Sequence, residues 1–91
     1  MIILLSTRAE ADLEAIGRYI AQDSVQSARE TVAHIHRALL PIAAFPHLGR
    51  RGSVAGTLEL VVRHRFIIVY CIDAKQDCIQ VIAVAHHARD H

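Results

Sequence analysis

The sequence is poor in aromatic side chains. Of its 91 residues only 4% are Phe, Trp or Tyr, and none is Trp. Hydrophobic residues nevertheless make up 53% of the chain, a fraction that excludes an intrinsically disordered protein. The core must therefore be built from Ile, Leu, Val and Ala, and the length predicts a single domain over residues 1–91.

The sequence also has little excess charge of either sign. Ten Lys and Arg residues are balanced by nine Asp and Glu residues, which gives a net charge of +1. Proteins that hold RNA or DNA mainly through the phosphates usually carry a clear positive excess, and this chain does not. It has seven His residues, so protonation near pH 6 would make it more basic.

Long apolar runs and cysteines are scarce as well. The apolar opening Met1–Leu5 is too short for a signal sequence or a membrane span, and it lacks a basic start. The two cysteines, Cys71 and Cys78, lie in apolar stretches, as packed and reduced thiols do. We therefore expect a cytoplasmic protein that does not contact membranes.

No motif for a metal ion or a cofactor is present. His86, His87 and His91 lack the spacing of three or four converging zinc ligands. The glycines within residues 49–56 lack the spacing and the strand–helix context of a phosphate-binding loop. We expect neither a metal nor a cofactor.

The start of the chain predicts a strand followed by a helix. Ile2–Leu5 is a short apolar strand, and Thr7 with Glu10 forms a capping box. The helix should then run over about residues 8–22. Its apolar stripe has helical spacing and consists of Ala9, Leu13, Ile16 and Ile20.

A second helix follows after only a few residues, so the two helices should form an antiparallel hairpin. Ser24 is a suitable N-cap for it. Pro41 would kink or restart the helix, and Pro46 with Gly49 would end it before a loop over residues 48–56. Its apolar stripe consists of Ala28, Val32, Ile35, Leu39 and Ile42.

The second half of the chain changes to a β pattern. Residues 57–62 alternate in polarity, 63–65 predict a polar turn, and 66–72 are nearly continuous in apolar residues, as in a central strand. Residues 73–77 predict a hairpin loop before a last strand over 78–85. Short connections imply an antiparallel meander with the helical hairpin on one face. The fold class is therefore α+β, in the order β-α-α-β-β-β.

In this order and spacing the segments resemble the ParE/RelE toxin superfamily. The resemblance covers nearly the whole chain and does not depend on a single motif. It is carried by Ala11–Ile16 with Tyr19 and Ile20, by Ala28, by Phe45–Arg50, by Gly56–Val62, by Phe66–Tyr70 and by Val81–Arg89.

The resemblance implies a toxin of a type II toxin–antitoxin pair. A cognate antitoxin would fold its disordered C-terminal segment over apolar surface of the sheet and helices, giving a hetero-oligomer. ParE-like members resemble inhibitors of DNA gyrase that act by binding. RelE-like members resemble ribosome-dependent endonucleases that cut mRNA. A third hypothesis is an inactive homologue that only binds its antitoxin.

Cleavage of RNA by attack of the 2′-hydroxyl would need a general base for the hydroxyl proton, an acid for the leaving oxygen, and cations that stabilise the extra phosphate charge. Arg65 and His86 are the candidate catalytic residues, because antiparallel pairing would bring the start of one strand to the end of the next. Solvent-exposed strand ends explain basic residues there as well. Further candidates for binding RNA or another target are Arg50, Arg51, Arg63, His87 and Arg89.

Two features favour the ParE-like hypothesis. A net charge of +1 is low for a protein that docks on ribosomal RNA. RelE-type nucleases often carry a tyrosine or another acid–base group near the C-terminus, whereas here no aromatic residue follows His86, and the apolar neighbours of Tyr70 indicate a core position. We therefore predict a ParE-like toxin that binds a target such as DNA gyrase, with the RelE-like endonuclease as the alternative.

Overall fold

The computed structural model describes residues 1–86. Its elements are β1 (Ile2–Leu5), α1 (Thr7–Ala21), α2 (Val25–Ala44), a 3₁₀ helix (Pro46–Leu48), β2 (Arg50–Arg51), β3 (Leu58–Val62), β4 (Phe66–Asp73) and β5 (Cys78–His86). The strands form one five-stranded sheet in the order β1-β5-β4-β3-β2. β3, β4 and β5 pair antiparallel, whereas β1 is parallel to β5. The predicted α+β fold is confirmed.

One core lies between the two helices and the sheet. Ile35, Ile42, Ile68 and Ile79 are at most 1% exposed, so aliphatic side chains fill its centre as the composition predicts. The predicted stripe of the first helix faces this core, and so do Ile35, Leu39 and Ile42 of the second stripe, whereas Ala28 and Val32 lie outside it. Neither helix within residues 1–86 is long and apolar enough to cross a membrane.

α1 begins at a serine that also attaches the helix to the sheet. Ser6 Oγ accepts a hydrogen bond from Ala9 N at 3.0 Å and donates one to Ile82 O at 2.8 Å. The prediction that Thr7 caps the helix is therefore wrong by one residue. The reason is a tertiary contact. Ser6 N also donates a hydrogen bond to Val81 O, and this contact with β5 holds Ser6 in the capping position.

α2 is a single helix that continues through Pro41 to Ala44. Ser24 caps it as predicted, with its Oγ accepting from Ser27 N at 3.1 Å. The predicted restart at Pro41 does not occur. Pro41 lies in the last turn, where its ring removes one amide donor, and its carbonyl still accepts from Phe45 N at 2.8 Å.

β5 contains an irregularity where α1 crosses it. The register with β4 shifts between Val69 and Tyr70, so that Ile82 has no partner residue on β4. Asp12 Oδ2 accepts a hydrogen bond from Val84 N at 2.9 Å. The Asp12 carboxylate and the Ser6 hydroxyl thus pair backbone groups in the stretch where the ladder is disrupted.

Tyr70 anchors the segment that follows α2. Its side chain is buried, and its hydroxyl donates to Pro46 O at 2.7 Å and accepts from Gly49 N at 2.9 Å. The segment continues into β2, which pairs with the start of β3. The prediction of a loop over residues 48–56 is thus wrong at Arg50–Arg51, because a strand of two residues is determined by its partner.

Candidate functional site

The turn between β3 and β4 presents three basic side chains. Arg63, His64 and Arg65 are exposed and form the predicted turn, which Arg65 N closes by donating to Val62 O at 3.1 Å. Arg63 and His64 have φ values of 55° and 60°, the sign that a type I′ turn requires at both central positions. This left-handed backbone costs non-glycine residues about 1–2 kcal/mol each.

Strand pairing brings His86 next to this turn. Phe66, the first residue of β4, pairs with His86, the last residue of β5, so Arg65 directly precedes the partner of His86. The rings of His86 and Phe66 meet edge-on, with centroids 4.8 Å apart. His86 also lines a cavity of about 250 Å³ together with three residues of α1, namely Ala15, Ile16 and Tyr19.

α2 adds a residue that the sequence did not indicate. Partial burial, with the nearby guanidinium groups of Arg63 and Arg37, lowers the pKa of His34. No local motif reveals this proximity, because it depends on where α2 lies relative to the turn. We refer to residues 63–65, His34 and His86 as the basic end of the sheet.

Arg50 and Arg51 lie at the opposite end of the sheet. They pair with Glu59 and Leu58 at the start of β3, whereas the basic turn follows Val62 at its end. The four residue steps of β3 span about 13 Å. Arg50 Nη2 lies 3.6 Å from Glu59 Oε1. The structure therefore divides the predicted cationic residues into two groups instead of one site.

Two predicted site residues, His87 and Arg89, lie outside the described residues 1–86. Within that range, no group of three or more His, Cys, Asp or Glu residues could hold a metal ion. Cys71 and Cys78 are free thiols.

An apolar groove runs along β1 and the helical hairpin on the surface of the protein. Its larger part, about 750 Å³, lies between β1 and the helices, and a second part of about 480 Å³ extends along the hairpin towards Val25. Gly17, Val32 and His36 line both parts, so the groove is continuous. Leu4 and Val25 are 49% and 56% exposed. We refer to this surface as the hairpin groove.

Solved structures of known proteins share this fold. A chain of the chromosomal ParDE TA system from P. aeruginosa matches with a TM-score of 0.82 and 23% identity, covering 94% of this chain and 95% of that one. The YoeB/ParE toxin from Agrobacterium tumefaciens matches with a TM-score of 0.68 and 16% identity, covering 96% and 99%. This chain thus shares its fold with both of these proteins.

Sequence comparison gives the family. The model of the family described as ParE toxin of type II toxin-antitoxin system, parDE, matches residues 3–91. The protein named "Putative toxin Y4kP" from Sinorhizobium fredii (strain NBRC 101917 / NGR234) is 35% identical over 80 residues, which are 87% of this chain and 80% of that protein. The chain belongs to the ParE toxin family of type II toxin–antitoxin systems.

Proposed function

We propose that this protein is the toxin of a toxin–antitoxin pair and inhibits growth by binding a macromolecular target, with DNA gyrase as the candidate. The observation that carries the proposal is the match of the ParE toxin family over residues 3–91. A cognate antitoxin is the expected partner, and the two proteins would form a hetero-oligomer in the cytoplasm.

The basic end supports binding more than catalysis. Its turn exposes Arg63 and Arg65 on a backbone of restricted conformation, and exposed cations of this kind orient a protein on its partner. The His86 ring packs against Phe66, and this packing accounts for its position without a proton transfer. The net charge of +1 is also low for docking on ribosomal RNA.

One observation favours the RelE-like alternative, an endonuclease that cuts mRNA. Tyr19 is 60% exposed and lines the same cavity as His86. A phenol and an imidazole are both suitable acid–base groups, and Arg65 directly precedes the strand partner of His86. Tyr19 lies in α1, so the sequence alone did not connect it with His86.

Induction in cells that lack the antitoxin distinguishes the two modes. We expect DNA synthesis to fall before protein synthesis, and the pure protein to inhibit supercoiling by gyrase. His86→Gln and Tyr19→Phe, with melting temperatures like that of the wild type, should remain toxic, whereas Arg63→Gln with Arg65→Gln should lose toxicity. Normal supercoiling with excess protein would exclude gyrase as the target.

The other outcomes assign the alternatives. If protein synthesis falls first and His86→Gln abolishes toxicity without unfolding, the protein is an endonuclease. If induction leaves growth unchanged while the protein still binds its antitoxin, it is an inactive homologue.

We further propose that the hairpin groove receives an apolar segment of the antitoxin. The groove is continuous, apolar and bordered by charged residues of α1 and α2, as protein-binding surfaces are. Leu4→Asp should weaken antitoxin binding at least tenfold, about 1.4 kcal/mol, as measured by calorimetry. Leu40→Asp is the matched control, because Leu40 is 69% exposed and does not line the groove. Equal affinities of the two variants would contradict this placement.

A further inference from the structure

A separate cavity lies at the end of the sheet away from the basic end. It measures about 640 Å³ and lies between the 3₁₀ helix and the loop that joins β2 to β3. This volume is in the range of small-molecule sites. We refer to it as the loop cavity, and the residues that line it include His47, Arg51, Ala55, Gly56 and Leu58.

Two side chains bring nitrogen donors to the loop cavity. Arg51 carries a guanidinium group, and the imidazole of His47 has an N–H donor in either tautomer. Both side chains are exposed, and neither forms an ion pair within residues 1–86. Arg50, in contrast, lies beside the Glu59 carboxylate. The cation that faces the cavity is therefore available for an anionic ligand.

The backbone that carries these two donors is fixed by buried contacts. The Tyr70 hydroxyl bonds to Pro46 O and Gly49 N, on both sides of His47. Arg51 lies in β2, and the next residue donates from Gly52 N to Thr57 O at 2.9 Å. The backbone at both donors is thus held before any ligand binds, which lowers the entropic cost of binding.

The loop also offers backbone amide groups. Gly56 has a φ of 85°, and within residues 1–86 the amides of Ala55 and Gly56 donate no hydrogen bond to the protein. Successive amides around a left-handed residue form concave sites that bind anions. Thr57 closes the loop, since its Oγ1 donates to Val54 O at 2.6 Å.

We propose that the loop cavity binds the phosphate group of a ligand of about mononucleotide size. Arg51 and His47 donate to the phosphate oxygens, the amides of Ala55 and Gly56 complete the site, and the apolar side chain of Leu58 packs against the rest of the ligand. No helix follows the loop, so the site differs from the phosphate-binding loop that the glycine spacing excludes. The inference is independent of the proposed function.

Titration of the whole protein tests the site. The probes are inorganic phosphate, adenosine monophosphate, adenosine and a short single-stranded DNA, and the readout is the amide NMR signals of residues 55 and 56. We expect saturable shifts with the monophosphate and with phosphate, and none with adenosine. Arg51→Gln should weaken binding of the monophosphate at least about tenfold. Lys75→Gln, which removes an exposed cation from the nearby β4–β5 loop, should leave it unchanged.

The DNA probe identifies the source of the phosphate. If DNA shifts the signals of the same amides more than the monophosphate does, and if these shifts depend on Arg51, the result assigns the site to a nucleic-acid backbone. Shifts by the monophosphate alone assign it to a free nucleotide, and both outcomes support the site. The proposal is overturned if adenosine acts like the monophosphate, if no probe shifts these amides, or if Arg51→Gln and Lys75→Gln have equal effects.

Discussion

The hydrogen bond between Asp12 and Val84 gives the sharpest test of how α1 is held on the sheet. Asp12→Ala removes the carboxylate that accepts from Val84 N at 2.9 Å. Val84 is only 6% exposed, so its amide would be left without an acceptor. Hydrogen bonds to charged groups contribute about 1.5–3 kcal/mol. For a domain of this size, a loss of about 2 kcal/mol lowers the melting temperature by roughly 10 °C.

Three control variants separate this bond from other effects of the substitution. Asp12→Asn keeps an oxygen acceptor and should lose about 1 kcal/mol. Arg8→Ala removes the 3.7 Å ion pair with Asp12, and Glu14→Ala removes the exposed pair with Arg18. Each should change stability by less than about 1 kcal/mol. The assay is urea unfolding followed by circular dichroism. An Asp12→Ala variant within about 0.5 kcal/mol of the wild type would refute the reasoning.

Three further predictions concern stability. Tyr70→Phe leaves Pro46 O and Gly49 N without their hydrogen-bond partner, so it should lower the free energy of unfolding by about 1–3 kcal/mol. It should also speed hydrogen exchange at the Gly49 amide, and an unchanged exchange rate would contradict the prediction. Leu39→Asp places a charge in the core and should lower the free energy of unfolding by at least about 4 kcal/mol. Leu40→Asp, at an exposed position, should change it by less than about 0.5 kcal/mol. A native circular dichroism spectrum of Leu39→Asp would show that the face of α2 that carries Leu39 is not in the core. Because the folded state lowers the pKa of His34 below 6.5, the unfolded chain binds that proton more tightly. The contribution of neutral His34 to the stability of the fold should be fully present above pH 6.5 and should be lost as the pH falls below that value. His34→Gln should flatten this part of the plot of melting temperature against pH.

Local sequence was sufficient for the helices and for most of the sheet. The apolar stripes of α1 and α2, the Ser24 cap and the turn at residues 63–65 are encoded by neighbours within a few positions. The Ser6 cap and β2 were not, because β5 positions the former and β3 pairs with the latter. The predicted restart at Pro41 was wrong because the effect of a proline depends on how much helix remains after it.

In the candidate site, too, some proximities could be predicted from the sequence and others depend on tertiary contacts. The proximity of Arg65 and His86 could be predicted, because a hairpin of two strands fixes which ends meet. His34 and Tyr19 could not, since their distance from the turn depends on how the helices lie over the sheet. The loop cavity needed the structure as well, because unpaired amides and a left-handed glycine leave no clear mark in composition.

The parallel pairing of β1 with β5 has a consequence for synthesis. Ser6 bonds to Ile82 across 76 positions of sequence, and Asp12 reaches Val84 across 72. Contacts this distant form slowly, and on a ribosome they must wait until residues 78–86 have left the exit tunnel. Until then the first strand has no strand to pair with, and α1 has no attachment to β5. An unfinished chain therefore lacks the strand that pairs with β1, which forms one wall of the hairpin groove.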